Sequence, residues 1–544
     1  MNSMDPVVTI VWIVSFVTVT VAITGLARKI GWSAPVVLVV VGGLVSFIPG
    51  VPHFELDPEL VLYGVLPPLL FATALRTSFI DVRARRDSIL LLSVGLVAFT
   101  VVSVGFAVWA VIPGLTLAAA FAFGAVVGPT DTVAITAIAG RLNLPRRLVT
   151  ILEGESLLND ATALVALNAA IAAIVSVLNP WTVVGDFGIA VVVGLATGLA
   201  VGFALAFIRS RLKAPVLDTS LSLVTPYIAF IVAQLLHGSG ALAVVVAGLY
   251  LGYRAPVIQS AEARIAESIN WRTIRFLLEN AVFLFIGLAL AGILENAFAE
   301  DLSMTEVIVG CIVALLAPFL ARIAWMAIST MLFTWGPQRL RQRGWTWRGA
   351  AAVSFAGLRG VVTLAAVFLL PASTPHRAFL QFLAFVVVVG TLIGALALPR
   401  IIKLLHLPAP NFAQEESEMQ RLLAEAQNAG LERLETQETD DVDVLVIERL
   451  RTNAVFLARS IETPTPDGIE DAPVAYRRLR REMLRAERSA VLQARADGRY
   501  QEPAILAVLA FLDAEEAALR STKPVKEMPD LTPAQRRAAR RRRT

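Results

Sequence analysis

The sequence predicts an all-α polytopic membrane protein of about 13 transmembrane helices, some of them discontinuous, with a helical cytosolic C-terminal tail. Three observations carry this expectation. Mostly apolar runs recur from Val7 to about Leu405, each close to the roughly 20 residues that cross a hydrocarbon core of about 30 Å. Basic residues fall on every second connection between those runs. Beyond Pro408 the chain turns polar and charged, rich in Glu, Arg, Ala and Leu. The expected domains are therefore 1–407 in the membrane and 408–544 in the cytosol. At 56% hydrophobic and 17% charged residues, with mean hydropathy +0.70, the chain departs from the near-half apolar, one-quarter charged mix of soluble domains.

In order, the spans are expected at about 6–26, 33–50, 58–75, 88–112, 115–139, 147–178, 183–207, 219–236, 240–255, 271–293, 304–335, 349–370 and 378–405. The first is read as a retained helix and not a cleaved signal, because no positive charge precedes it and Arg28 and Lys29 follow it. Basic connections carry Arg28 and Lys29, then Arg76, Arg83, Arg85 and Arg86, then Arg141, Arg146 and Arg147, then Arg209, Arg211 and Lys213, then Arg254 and Arg264, and lastly Arg339, Arg341, Arg343 and Arg348. The alternate connections hold Arg377 and the acids Asp57, Glu295, Glu300 and Asp301. Cytoplasmic loops collect Lys and Arg, so the N-terminus is expected outside and the tail inside, in the plasma (inner) membrane. A missed or invented helix would invert the alternation downstream of it, and the alternation runs unbroken.

Enzyme chemistry has little to stand on. A single cysteine, Cys311, rules out an intramolecular disulfide, and the four histidines, His53, His237, His376 and His406, are scattered at segment ends. No HExxH, phosphate-loop or GxSxG pattern occurs. The chain is expected to be no enzyme and to use no cofactor. In the tail, "VDVLVIERLRTNAVFLARSI" and "AYRRLRREMLRAERSAVLQARA" read as amphipathic helices, and "RRAARRRRT" closes a basic, disordered end. Such an end suits anionic lipid headgroups, whereas nucleic-acid binding needs more than a charge run.

Polar groups inside the spans are more telling, because an ionised side chain at bilayer depth is costly and is kept for ion paths, proton relays or buried pairs. Pro129 in "FGAVVGPTDTVAITAIAG" removes a backbone donor and clashes with the preceding turn, so a helix break is expected beside Thr130 and Asp131. Broken helices at the midplane are how many transporters build cation sites; the plain alternative is a proline kink. In the next span Ser156, Asn159 and Asp160 are spaced i, i+3, i+4 and share one helix face. Hydroxyl, amide and carboxylate oxygens are hard donors that suit alkali cations. Glu153 and Glu155 are explained as complements to a helix N-terminus, but Asp160 lies beyond the first turn. Glu279, Arg322 and Arg359 lie in late spans, where a buried arginine needs a carboxylate. Glu279 with Arg322 is one expected ion pair, and Arg359, between Gly357 and Gly360, is expected to pair as well.

The motifs "GPTDTVA", "EGESLLNDATA" and "GLRGVVTLA", in that order in successive parts of the membrane region, resemble the monovalent cation/proton antiporters, which include prokaryotic NhaP-type exchangers and the animal sodium/proton exchangers. The resemblance covers residues 1 to about 405. It implies exchange of Na⁺, and also Li⁺ or K⁺, for H⁺, with Asp160 as the shared cation and proton site. It further implies Ser156, Asn159, Asp131 and the Thr130 carbonyl as the rest of that site, with Na⁺ held by Asp160, Ser156, Asp131 and Thr130. It makes Glu155 and Arg359 a structural pair, exchange electroneutral, pH homeostasis the purpose, and the assembly a homodimer. The chain departs from the family after Phe71, where many relatives have an acid and this one has Ala72 and then Thr73, a neutral oxygen.

Burial disfavours the charged form of a carboxylate and an adjacent cation favours it, so one buried acid can hold either passenger in turn. Breaks near Pro129 and near Gly357, or at Gly390–Gly394, are compatible with an inverted repeat. The rival readings are a K⁺/H⁺ antiporter, a cation channel regulated by the tail, and an intramembrane enzyme or receptor. A channel needs a continuous pore lined by polar rings, which a few buried acids beside a broken helix do not resemble.

Overall fold

A backbone crossing lipid must satisfy its own hydrogen bonds, and helices do this throughout the computed structural model of the chain. It describes residues 6–30, 32–49, 59–131, 145–175, 180–300, 302–335, 345–407 and 472–521, with scattered positions between 418 and 436. No strand occurs among the described residues.

The helices run α1 (Pro6–Ile30), α2 (Ala34–Ser46), α3 (Leu60–Arg76), α4 (Arg86–Trp109), α5 (Leu117–Val127), α6 (Arg146–Val175), α7 (Pro180–Arg209), α8 (Pro215–Leu235), α9 (Gly240–Ile258), α10 (Ala261–Leu288), α11 (Leu290–Phe298), α12 (Met304–Trp335), α13 (Trp347–Phe355), α14 (Val361–Val367) and α15 (Arg377–Leu404). Among the described residues α4, α6, α7, α8, α9, α12 and α15 are each long and apolar enough to cross a membrane. The pair α10–α11, bent by 40°, makes a further span if read as one. The spans expected near 115–139 and 349–370 are not continuous helices. Helix α5 stops at Val127, and α13 and α14 are separated by an irregular stretch at 356–360; residues 132–144 lie outside the described residues.

Local chemistry sets the helix starts. Side chains of Thr116, Ser239 and Thr346 accept the main-chain N–H of Ala119, Leu242 and Gly349, filling donors that a helix N-terminus leaves orphaned. Pro35 and Pro215 open α2 and α8, where a missing N–H costs nothing. Helices α3, α7, α8 and α9 pack with one another, while α4, α5, α6, α12 and α15 pack around the breaks in α5 and in α13–α14. Helix α7 approaches α9 closely at Gly198, where a Cβ would lie 2.6 Å from the Ala243 carbonyl; small residues allow such approach where lipid gives helices no hydrophobic drive to associate. The stripe Ile189, Val192, Leu195, Leu199, Phe203 and Phe207 on α7 is exposed, as a lipid-facing surface would be.

The contacts divide the chain into two units, one of Met1–Gln259 and Ala266–Pro410, the other of Ser260–Ile265 and Asn411–Thr544. In the second, α16 (Ala472–Ala496) and α17 (Glu502–Ser521) share a core of Leu479, Met483, Leu484, Val491, Ile505, Val508 and Leu512. Arg480 bridges Glu487 and Glu515 at 2.6 Å each, and Arg488 bridges Asp513 and Glu516. Helix α16 contains the second of the two amphipathic tail segments; the first, at 442–461, and the basic end lie outside the described residues.

Candidate functional site

Two interrupted helices meet at the site. Helix α5 gives way to Gly128 and Pro129, so its last carbonyls lose their helical donors and need others. The second interruption supplies them: Arg359 Nε donates to the Val127 carbonyl at 3.0 Å. In return the Asp131 N–H donates to the Leu358 carbonyl at 2.7 Å. Arg359 also donates through Nη1 to the Gly357 carbonyl at 2.6 Å, and its main-chain N–H donates to Thr391 Oγ1 of α15. A Cβ on Gly360 would overlap the Asp131 carboxylate, and one on Gly357 would lie 2.6 Å from Arg322 Cδ. Both glycines therefore admit a neighbour that any side chain would exclude.

Helix α6 carries the remaining groups to this crossing. Glu155, 1% exposed, accepts the Thr130 hydroxyl at 2.9 Å and both terminal nitrogens of Arg322, at 2.5 and 3.0 Å. Arg322, equally buried, spends its Nε on the Val353 carbonyl of α13 at 3.0 Å. One turn along α6, Asn159 Nδ2 donates to the Thr130 carbonyl at 3.2 Å and to Thr130 Oγ1 at 3.0 Å. Its Oδ1 is buried with no hydrogen-bond partner among the described residues. Asp160, beside it, is half-buried and makes no hydrogen bond among the described residues; the carboxylate whose charge acts on it is Asp131. Ser156 is buried on the same helix.

The structure thus brings Thr130, Asp131, Glu155, Asn159 and Asp160 to one crossing point but alters the expected pairings. Glu155 is bridged by Arg322 and not by Arg359, because Arg359 lies in an unwound stretch with free carbonyls in reach. The pair expected between Glu279 and Arg322 is not made either: Glu279 takes Arg275, one turn earlier on α10, at 2.5 Å. The Thr130 carbonyl, expected to face the cation, accepts from Asn159. Thr73 Oγ1 donates to the Leu69 carbonyl of its own helix at 3.0 Å.

Helix α6 continues from Asp160 through Leu164 to Asn168 along one face. There Leu164 and Asn168 line a cavity of about 320 Å³ together with Asp186, Gln234 and His237.

One buried charge cluster was not anticipated. Arg209 bridges Asp218 at 2.8 and 2.9 Å and Glu267 at 2.7 Å, and Gln259 joins both acids at 2.7 and 3.0 Å. Ser222 donates to Glu267 as well. Sequence reading places Arg209 among loop charges; the available signal was an acid at the start of α8 directly across a short turn from a basic end of α7.

The family described as "Sodium/hydrogen exchanger, transmembrane" matches residues 16–404. A Na⁺/H⁺ exchanger of Mycobacterium bovis is 31% identical over 528 residues, covering 94% of this chain and 96% of its own length, so the likeness runs past the membrane region into the tail. A sodium, potassium, lithium and rubidium/H⁺ antiporter of Bacillus pumilus is 33% identical over 384 residues, 66% of this chain and 56% of its own. The sodium proton antiporter MjNhaP1 of Methanocaldococcus jannaschii, solved at pH 8, has a similar fold, with TM-score 0.59 at 20% identity over 74% of this chain and 100% of its own. With the family matched across nearly all of the described membrane helices and a relative aligned along almost the whole chain, this protein belongs to the sodium/hydrogen exchanger family of cation/proton antiporters.

Proposed function

We propose that the chain exchanges Na⁺, and also Li⁺ or K⁺, for H⁺ across the plasma membrane, with Asp160 as the group that carries either passenger. The observation that carries this reading is the pair of unspent oxygen sets on α6: among the described residues Asn159 Oδ1 is buried without a partner and the Asp160 carboxylate accepts no hydrogen bond. A buried acceptor left unpaired is costly, and a cation at Asp160 would satisfy both. Ser156, one turn earlier on α6, and Asp131, whose charge acts on Asp160, complete its shell in this reading, while Thr130 acts one step back by fixing the Asn159 amide. Breadth of cation choice is suggested by the Bacillus pumilus relative, whose name includes four alkali ions.

The exchange follows from charge balance. One Na⁺ neutralises the Asp160 carboxylate as one proton does, so each crossing moves a site of the same net charge and the cycle is electroneutral. The buried ion pair of Glu155 with Arg322 holds Thr130, and through it Asn159, in place during that movement. The cavity bounded by Asn168 and Asp186 serves as the approach from one face. In this reading residues 1–407 form the transporting domain with the N-terminus outside, residues 408–544 are cytosolic, and two copies assemble as a dimer in the membrane.

Proteoliposomes loaded with a pH-sensitive dye test the proposal. Addition of Na⁺, Li⁺ or K⁺ to the wild-type protein is expected to move protons without an accompanying electrical current, and Asp160→Asn is expected to abolish the response. Persistent cation-driven proton movement in that variant would remove Asp160 from the mechanism.

A further inference from the structure

Three connections of the first unit converge on one imidazole. His376, just before α15, has Nδ1 3.0 Å from Glu300 Oε2 and Nε2 3.0 Å from the Pro113 carbonyl oxygen. Glu300 follows α11, and Pro113 lies in the turn from α4 into α5. The backbone of His376 is left-handed, with φ of 53°, a conformation uncommon for non-glycine residues. Glu300 Oε1 meanwhile accepts the N–H groups of Ala378 and Phe379 at 3.1 and 3.3 Å, capping α15.

Both ring nitrogens face acceptors. A neutral imidazole carries one N–H and an imidazolium two, so the bridge is complete only when the ring is charged. Loss of either proton turns a lone pair toward an oxygen. Among the described residues the charged groups around the ring are Glu300, Glu306 at the start of α12, and Arg377, its neighbour in the chain; the α4–α5 turn contributes no charge, only the Pro113 carbonyl. The bridge joins the approach to α5, which is broken at Pro129, to α15, which follows the second break, and fastens both to the end of the bent pair α10–α11. Any rocking of the crossing relative to α10–α11 must stretch it.

We propose that His376 is a positioning residue that acts as a proton-operated clasp: as imidazolium it ties Glu300 to the Pro113 carbonyl and slows the access change of the antiporter. This rests on the antiport reading above. Histidine changes charge between about pH 5 and 8, so acid on this face closes the clasp and slows turnover, and alkali releases it. Protons at Asp160 act differently: on the side from which Na⁺ enters they raise the cation concentration needed for half-maximal rate and leave the saturated rate unchanged, and on the other side they are the exchanged substrate, so alkali there lowers the saturated rate instead of raising it.

The test is ²²Na⁺ uptake by proteoliposomes at saturating Na⁺, with one face held at fixed pH and the other titrated, each face in turn. The wild-type saturated rate is expected to rise about tenfold across that range on one face only, the scale of one charge-assisted hydrogen bond in a barrier. His376→Asn, which tolerates the left-handed backbone, is expected to hold the high-pH rate throughout while keeping the competition seen in KM. Glu300→Gln retains an oxygen for the Ala378 and Phe379 amides and sets an N–H beside Nδ1, so the bridge no longer needs the charged ring; its saturated rate should also lose its pH dependence, which guards against a folding loss in the first variant. Unchanged pH profiles of the saturated rate in both variants, with wild-type exchange intact, overturn the clasp alone. A wild-type protein that exchanges no cation for protons overturns the antiport reading and the clasp with it.

Discussion

Removing Arg322 is the sharpest test of how the crossing is held. Arg322→Ala deletes two hydrogen bonds to Glu155, of 2.5 and 3.0 Å, and one to the Val353 carbonyl of 3.0 Å. Both members of the ion pair are 1% exposed, so solvent cannot take over the stranded carboxylate. Breaking a buried pair from one side costs about 3–5 kcal/mol. Arg359→Ala also destabilises, since charged donors to carbonyls are worth about 1.5–3 kcal/mol each, and single variants therefore do not decide which arginine serves Glu155. Coupling does. In double-mutant cycles with Glu155→Gln, residues in direct contact couple by about 0.5–3 kcal/mol, and the Arg322 cycle is expected near the top of that range. No hydrogen bond joins Arg359 to Glu155, although the two charges act on one another, so that cycle should be clearly smaller than the Arg322 one. Melting curves of the detergent-solubilised single and double variants, followed by intrinsic tryptophan fluorescence, supply the values. Larger coupling to Arg359 than to Arg322 would refute the pairing and restore the one that the family motifs suggest.

Further outcomes follow from other parts of the molecule. Gly360→Ala forces a methyl group into the Asp131 carboxylate; overpacking of this kind costs about 1–3 kcal/mol, and cation-driven proton flux should fall well before membrane insertion does, read by dye response against the amount of purified protein. Asp218→Ala leaves Arg209 with Glu267 alone, and the variant should melt below wild type while its KM for Na⁺ is unchanged, because the cluster makes no contact with Asp160. In the tail, burial pushes the Glu487 carboxyl up from its ordinary range and Arg480 opposes the shift. Arg480→Met removes that opposition. A carboxyl raised in the folded state stabilises the fold below its unfolded pKa and loses that contribution as pH rises through the folded value. The variant's α16–α17 region should therefore lose hydrogen-exchange protection, corrected for intrinsic rates, more steeply than wild type between pH 5 and 8; equal slopes would reject the role of Arg480.

Apolar run length made the helical membrane class legible from sequence, and chemistry at single residues made the crossing legible. Pro129 announced the break in α5, and the i, i+3, i+4 spacing of Ser156, Asn159 and Asp160 placed oxygen donors on one face of α6. The helix boundaries were less readable, because α5 stops at Val127 and α14 begins at Val361 for reasons that lie in the partner segment. Each supplies hydrogen bonds that the other lacks, as Asp131 N–H to Leu358 and Arg359 to Val127 attest. Arg209 was hidden for the opposite reason: a basic residue at a helix end has the same appearance in solvent and in a buried cluster until Glu267, 58 residues away, is brought beside it.

The pairing of the arginines failed at sequence level for a reason that applies beyond this crossing. In a continuous helix the carbonyls are already bonded, so an arginine there must find a carboxylate or an opening in another segment. Arg322 on α12 does both, through Glu155 and Val353. At a helix break carbonyls stand free, and they compete with acids for any guanidinium nearby. Arg359 satisfies Val127 and Gly357 without desolvating a second charge, and Glu155 is then left to the arginine that has no backbone of its own to serve. Charge counting weighs the two arginines equally, whereas the state of the backbone around each decides between them, and the prolines and glycines that set that state are visible in the sequence before any fold is known.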